Sequence, residues 1–379
     1  MSDLLRSAMS ARLAKLPQLP PLGPEDEDTD DNLGPLPGSG LGPPAVPFKT
    51  ASRRKRTPNA DFAPISAQGY FSDALQVAVP ARQLDVRAYY TAPKFAEGTV
   101  MVCHHGAGYS GLSFACLAQE IVGQAKGECG VLAIDARRHG KTRSTAEKED
   151  EDLSLDVLVQ DFVEILRAVF PDSAQAPTLL LVGHSMGGAI VVRACPLLLE
   201  HKFRVSGVAA LDVVEGFAIE ALPHMNSILN ARPDGFDSPE EAVEWHFTTN
   251  TIRNSRSARV SVPSIIVPAA DEKTSPHSWV WRTPLRSTAP YWSGWFTGLS
   301  AAFLAARAAR LLLLAGTDRL DRPLTIAQMQ GKFQLEVVNG VGHMLHEDDP
   351  IQVASILLEF WRRNDRIRLP PKVKSVGEA

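Results

Sequence analysis

Residues 179–191 read LLLVGHSMGGAIV. An apolar run, Leu179, Leu180, Leu181 and Val182, meets Gly183-His184-Ser185-Met186-Gly187, and a second apolar segment follows without a break. The pattern predicts a strand, a sharp turn and a helix. A serine on so strained a turn needs glycine two residues before it and two after it, because a Cβ there would collide with neighbouring backbone. Gly188 adds room for close helix packing. A bare G-x-S-x-G is a common accident whose simplest reading is a flexible turn. Here the flanking strand and helix supply the context that a nucleophile elbow requires, and Ser185 is the candidate nucleophile.

Around this stretch the chain has ordinary globular composition: 379 residues, 44% hydrophobic and 22% charged, with a formal net charge of -4. That balance supplies ample core and gives no reason to expect nucleic acid or an anionic membrane as a partner. No run of about 18 apolar residues is available to span a bilayer. The start, MSDLLRSAMSARL, lacks the apolar core and small-residue cleavage pattern of a secretory signal. A soluble, cytoplasmic protein is expected. The basic run Arg53, Arg54, Lys55, Arg56 is a candidate nuclear-import address, though charge runs are usually just solvated. Cys103, Cys116, Cys129 and Cys195 stand singly, without the C-x-x-C spacing of zinc or redox sites, and read as reduced buried thiols. Neither a cofactor nor a metal is expected.

Residues 1–60, rich in Pro, Gly and charge, cannot bury enough apolar surface to offset their ordering entropy and are expected to be disordered. Residues 366–379 read as a flexible tail. Between them, 61–365 alternate short strands with helices, which implies a mostly parallel central sheet flanked by helices. The amphipathic helix over 153–170 sets Leu155, Leu158, Val159, Phe162, Ile165, Leu166 and Val169 on one face. With the elbow on such a sheet, the fold class is α/β and the architecture that of an α/β-hydrolase. The stretch from about 213 to 305 breaks the rhythm and reads as a cap over the strand ends. Its Trp279, Trp281, Trp292 and Trp295 are read as packing anchors.

A serine hydroxyl needs a base, usually a histidine that a carboxylate holds in the right tautomer. His343, in NGVGHMLHEDDP after the apolar strand FQLEVV, stands where α/β-hydrolases keep it. His346 reads as a decoy that orders the loop with Glu347 and Asp348, and His184 as a hydrogen-bonded core residue. For the acid, Asp212 ends GVAALD, Asp318 ends LLLLAGTD, and Asp321 is a weaker third; spacing alone slightly favours Asp318. The oxyanion needs two backbone N–H donors. One is Met186, after the nucleophile. The other comes from HHGAG at 104–108, with Ala107 chosen and Gly106 close behind. His104 and His105 have no metal-ligand spacing and read as structural. Asp135 and Arg137 read as loop stabilisers, with Arg137 or Arg138 as alternative contacts for a substrate carboxylate.

GHSMGGAI, LDVVEG at 211–216, IRNSRSARVSVP at 252–263, YWSGWFTGLS at 291–300, LLLLAGTDRLDRPLTIAQMQGKFQ and VGHMLHEDDP together resemble the protein phosphatase methylesterase family over roughly residues 61–361. GHSMGG is generic; LDVVEG and RLDRPLTIAQMQGKFQ are far more specific. The resemblance implies a serine esterase that demethylates the C-terminal leucine methyl ester of the protein phosphatase 2A catalytic subunit. Carried over, the family's serine falls on Ser185, its histidine on His343 and its aspartate on Asp212, against the preference from spacing. The phosphatase would dock on cap residues such as those at 253–259. The chain departs from the family in reading HGAG where relatives read HGGG, and in lacking a long acidic insert after Ser264. Two other readings stand beside this one: a small-molecule carboxylesterase, and a scaffold that binds the phosphatase without catalysis.

Overall fold

Apolar runs without polar alternation, such as TVMVC and LLLV, belong to strands covered on both faces, and that is where they lie. The structure is a computed structural model that describes residues 57–146, 151–270, 275–316 and 320–365. All elements below belong to the unit Pro58–Ala379. The expectations for 1–56, with the basic run, for 366–379 and for Asp318 fall outside the described residues.

The main sheet is built from β1 (Asp73–Val79), β2 (Leu84–Thr91), β3 (Thr99–His104), β4 (Cys129–Ile134), β5 (Arg143–Ser144), β6 (Thr178–His184) and β7 (Val205–Leu211). Two later strands complete it, and three short strands of a separate ribbon lie between, β8 (Gly235–Phe236), β9 (Ile266–Pro268) and β10 (Trp279–Trp281), before β11 (Ala309–Leu314) and β12 (Gln334–Val337). The order is β1-β2-β4-β3-β6-β7-β11-β12, with β5 beside β2. Strands from β4 to β12 in that order run parallel, and β1 and β2 are antiparallel additions at one edge.

Period-two alternation sends neighbouring residues to opposite faces. Val100, Val102, Leu179, Leu181, Val208 and Ala210 join one core, whereas Met101, Cys103, Leu180, Val182, Ala209 and Leu211 join the other. Helix α1 (Ala115–Gln124) covers the second face. Helix α2 (Leu155–Val169) and helix α3 (Met186–Glu200) cover the first. The stripe on α2 packs inward as its spacing predicts, but it also buries Asp161. An isolated buried carboxylate would be costly; Asp161 instead receives Arg137 in a fork, at 2.6 and 2.8 Å, and Arg82 at 2.6 Å. Arg137 is therefore engaged inside the fold.

The segment after β7 holds helices α4 (Glu215–Asn230), α5 (Pro239–Thr248), α6 (Ser255–Ser261), α7 (Trp292–Phe296) and α8 (Leu299–Ala305). The antiparallel ribbon β8-β10-β9 lies among them. Its tryptophans pack: Trp292 Nε1 donates to Thr288 Oγ1 and Trp295 Nε1 to the Leu153 carbonyl, both at 2.7 Å. Trp281 meets Phe236 edge-on at 5.2 Å. After β11 come α9 (Arg322–Met329), α10 (Leu345–Asp348) and α11 (Pro350–Asn364), whose Leu357, Leu358, Phe360 and Trp361 close the second core. No helix among the described residues is long and apolar enough to cross a membrane.

Candidate active site

Strand β6 ends at His184, α3 begins at Met186, and Ser185 between them has φ 51° and ψ -119°. A non-glycine residue with positive φ costs on the order of 1–3 kcal/mol and persists only where the surroundings enforce it. Here a Cβ on Gly183 would strike the Gly187 carbonyl, and one on Gly187 would strike the His104 carbonyl. Both flanking glycines are thus sterically required. The Ser185 N–H donates to the Leu211 carbonyl at 3.0 Å, which ties the turn to β7.

One residue beyond that carbonyl is Asp212, also at positive φ, 49°. Its N–H donates to the Leu313 carbonyl at 2.7 Å, and its Oδ1 accepts from the Ala315 N–H at 3.0 Å. Its Oδ2 lies 2.7 Å from His343 Nδ1; the carboxylate is fully buried, whereas the imidazole is 54% exposed. A carboxylate at Nδ1 fixes the proton there and leaves Nε2 free to accept one. Asp321 is elsewhere. It caps α9 through Leu324 N–H at 3.0 Å and accepts from Ser300 Oγ at 2.5 Å.

His184 lies behind His343, with ring centroids 4.6 Å apart, and its Nε2–H donates to the His343 carbonyl at 2.9 Å. Burial and two neighbouring imidazoles hold it well below the usual histidine range, so it stays neutral. His346 corrects the reading from sequence. It is wholly buried between Phe114 and His184, at 4.5 and 4.6 Å, as a packing ring. The base loop is ordered by Asp348 instead, which accepts from the Gly342 and Arg253 N–H groups at 2.7 Å each.

The loop after β3 is latched by two histidines. His139 Nε2 accepts from the Gly108 N–H at 2.9 Å while its Nδ1–H donates to the Arg137 carbonyl at 2.7 Å. His105 accepts from the Ala136 N–H at 3.0 Å and donates to the Gly106 carbonyl at 2.7 Å. Both bonds require neutral rings, and burial pushes His139 down to about 4. With the Gly108 N–H spent, the Gly106 and Ala107 N–H groups have no acceptor among the described residues. Gly106 abuts the nucleophile: a Cβ there would lie 3.2 Å from Ser185 Cβ. At the other side Met186 opens α3, where the first N–H groups have no intrahelical acceptor. The sequence reading missed His139. Its signal is a histidine in the loop after β4, the parallel neighbour of β3. Asp135 does stabilise that loop, accepting from the Gly111 and Lys141 N–H groups at 2.8 and 2.7 Å. Arg253, Arg256 and Arg259 are engaged within the chain, by the Gly340 carbonyl, Tyr70 Oη and the Ala63 carbonyl.

Beneath the base loop Glu347 is buried, with Oε2 accepting from Ser261 Oγ at 2.6 Å. Burial pushes its carboxyl up from 4.5 to about 8. The folded chain therefore keeps a proton that the unfolded chain releases above pH 4.5. This group's contribution to stability is fully present below that value and is lost as pH rises through about 8. Glu347→Gln, neutral at every pH, should melt higher than the parent at pH 8 and at the same temperature near pH 4. Thermal denaturation across that range checks it, and a gap that widens on acidification would contradict it.

A serine elbow, a histidine held by a buried aspartate and uncommitted N–H donors on two loops form the constellation of a serine hydrolase on an α/β sheet. Residues 101–356 match the Alpha/beta hydrolase family. Among solved structures, E-2-(acetamidomethylene)succinate hydrolase superposes with a TM-score of 0.60 at 17% identity, over 76% of this chain and 99% of that one, which speaks to the fold. The chain is 47% identical over 347 residues to protein phosphatase methylesterase 1 of Cryptococcus neoformans var. neoformans serotype D, across 84% of this chain and 82% of the relative. It is 43% identical over 310 residues to the protein of that name from Schizosaccharomyces pombe, across 81% and 87%. The chain belongs to the protein phosphatase methylesterase family and is a carboxylic ester hydrolase.

Proposed function

We propose that the chain removes the methyl ester from the C-terminal leucine of the protein phosphatase 2A catalytic subunit, with Ser185 as nucleophile, His343 as base and Asp212 as its orienting acid. The observation that carries the reading is the 2.7 Å bond from His343 Nδ1 to the buried Asp212, on an imidazole open to solvent and backed by the neighbour of a strained serine. Support for the substrate comes from the names of the relatives.

Ser185 Oγ attacks the ester carbonyl carbon as His343 Nε2 takes the hydroxyl proton. Charge developing on the carbonyl oxygen is met by the N–H groups of Met186 and Ala107. The imidazolium, stabilised by Asp212, returns its proton to the departing methoxy oxygen, and methanol leaves. Water then attacks the acyl-serine with His343 again as base, which frees the carboxylate and restores Ser185. A half-exposed imidazole suits both the entry of a chain end and the supply of that water.

Incubation with methylated phosphatase, followed by mass spectrometry of the C-terminal peptide, tests this. One methyl should be lost with the parent protein and none with Ser185→Ala. Persistence of the mark while p-nitrophenyl acetate is hydrolysed would return the chain to the small-molecule esterases. Failure to label Ser185 with a fluorophosphonate would leave a binding scaffold.

A further inference from the structure

Arg232 follows the C-terminus of α4, the helix that starts three residues after Asp212. Its guanidinium carbon lies 3.6 Å from the centroid of the Trp281 ring. Trp281 is itself fixed by its Nε1–H, which donates to the Pro233 carbonyl at 2.7 Å. The guanidinium makes no hydrogen bond and no ion pair among the described residues. The side chain is half-buried and its nitrogens reach water; five donors on a guanidinium held by an indole are therefore open to a ligand. Burial also lowers its pKa. The arginine beside it is not in this condition. Arg286 is shared among Asn230 Oδ1, Asp234 Oδ1 and the Leu229 carbonyl, at 3.3, 3.4 and 3.0 Å.

The position ties this idle cation to the site. Of the charged groups around it, Arg232 acts most strongly on the Tyr109 phenol, which burial keeps neutral. Tyr109 is bound to the oxyanion loop through its N–H, which donates to the Gly106 carbonyl at 3.2 Å. It packs in the same cluster as Trp281 and Met344, the residue after His343. Its hydroxyl, like the guanidinium, has no hydrogen-bond partner among the described residues. Both groups thus belong to the aromatic cluster around Trp281, tied through Tyr109 to the loop after β3 and through Met344 to the loop that carries His343.

We propose that Arg232, seated on Trp281 and flanked by the Tyr109 hydroxyl, is a subsite that receives a carboxylate of the polypeptide ester. A fork of guanidinium N–H groups with a phenol beside it matches a planar anion carrying several lone pairs. The carboxylate has two possible sources: an acidic side chain upstream of the ester, or the C-terminal carboxylate that hydrolysis creates. The inference rests on the polypeptide-ester reading above. It deepens that reading by giving the enzyme a preference within the acyl chain.

The test uses the full chain with Ser185→Ala and fluorescein-labelled hexapeptides ending in leucine methyl ester. A single Asp or Asn is placed in turn at each of the four positions before the leucine. A ninth peptide has no acidic side chain and a free C-terminus. By anisotropy, Asp should bind about tenfold tighter than Asn at one position, the worth of one charge-assisted contact. Adding Arg232→Gln should erase that gap and leave the Asn peptides unchanged. If Arg232→Gln instead weakens only the free-acid peptide, the subsite holds product. Equal affinity for Asp, Asn and free-acid peptides overturns the subsite, and that comparison needs no Arg232 variant. Turnover of the Asn peptide esters by the unaltered enzyme separates the readings: hydrolysis without an Asp preference removes the subsite alone, whereas neither hydrolysis nor binding of any peptide removes both.

Discussion

His343→Ala is expected to lower kcat on an activated ester by about 10⁶, the loss seen when the base is removed from a serine triad. The size follows from chemistry that no neighbour can replace. His184 is the nearest second imidazole, but its Nε2–H is given to the His343 carbonyl and burial keeps its basicity far too low. His346 is wholly buried against His184, and burial pushes it down to about 3. His346→Leu, which retains an apolar filler between Phe114 and His184, should therefore keep labelling of Ser185 by a fluorophosphonate, while His343→Ala should lose it. Comparable labelling of the two variants would remove His343 from the role of base.

Asp212→Asn is expected to cost about 10⁴ in kcat with little change in KM or melting temperature. Asparagine tolerates the left-handed backbone that this position demands, and its amide oxygen can still accept from the Ala315 N–H. What it loses is the negative charge that holds the His343 proton on Nδ1 and supports the imidazolium. The loss should thus fall on the chemical step. Asp212→Ala would confound it by adding strain at φ 49°. Measurements of kcat and thermal melting on Asp212→Asn, Asp318→Asn and Asp321→Asn check the assignment. A larger kcat loss for Asp318→Asn would move the acid to that residue. A loss for Asp321→Asn should appear in the melt, because its bonds go to α9 and Ser300.

Local pattern carried much of this. The parallel sheet was legible because strands buried on both faces are apolar throughout, and the short runs LLLV and TVMVC alternate with amphipathic helices. Ser185 was legible because the strand, turn and helix that an elbow needs are all written within LLLVGHSMGGAIV; the demand on Gly183 is local, from the Gly187 carbonyl, whereas that on Gly187 comes from the His104 carbonyl of β3. His343 followed from its place after the last strand run. The family resemblance, in LDVVEG above all, pointed to Asp212 where spacing leaned to Asp318.

What the sequence determined by itself, then, is whatever periodicity and short-range sterics dictate: the strands, the elbow, the amphipathic face of α2. The tertiary structure alone decided which polar side chains meet. Asp212 reaches His343 across 131 residues because β7 lies between β6 and β11, whose Leu313 carbonyl pins its backbone. His346 became a buried ring, Arg137 went to a carboxylate on α2, and His139 became the latch of the loop after β3 through contacts 24 to 232 residues long. Charge and hydrogen bonding are satisfied by whatever the fold brings within about 3 Å, and strand order, which no local window contains, sets what that is.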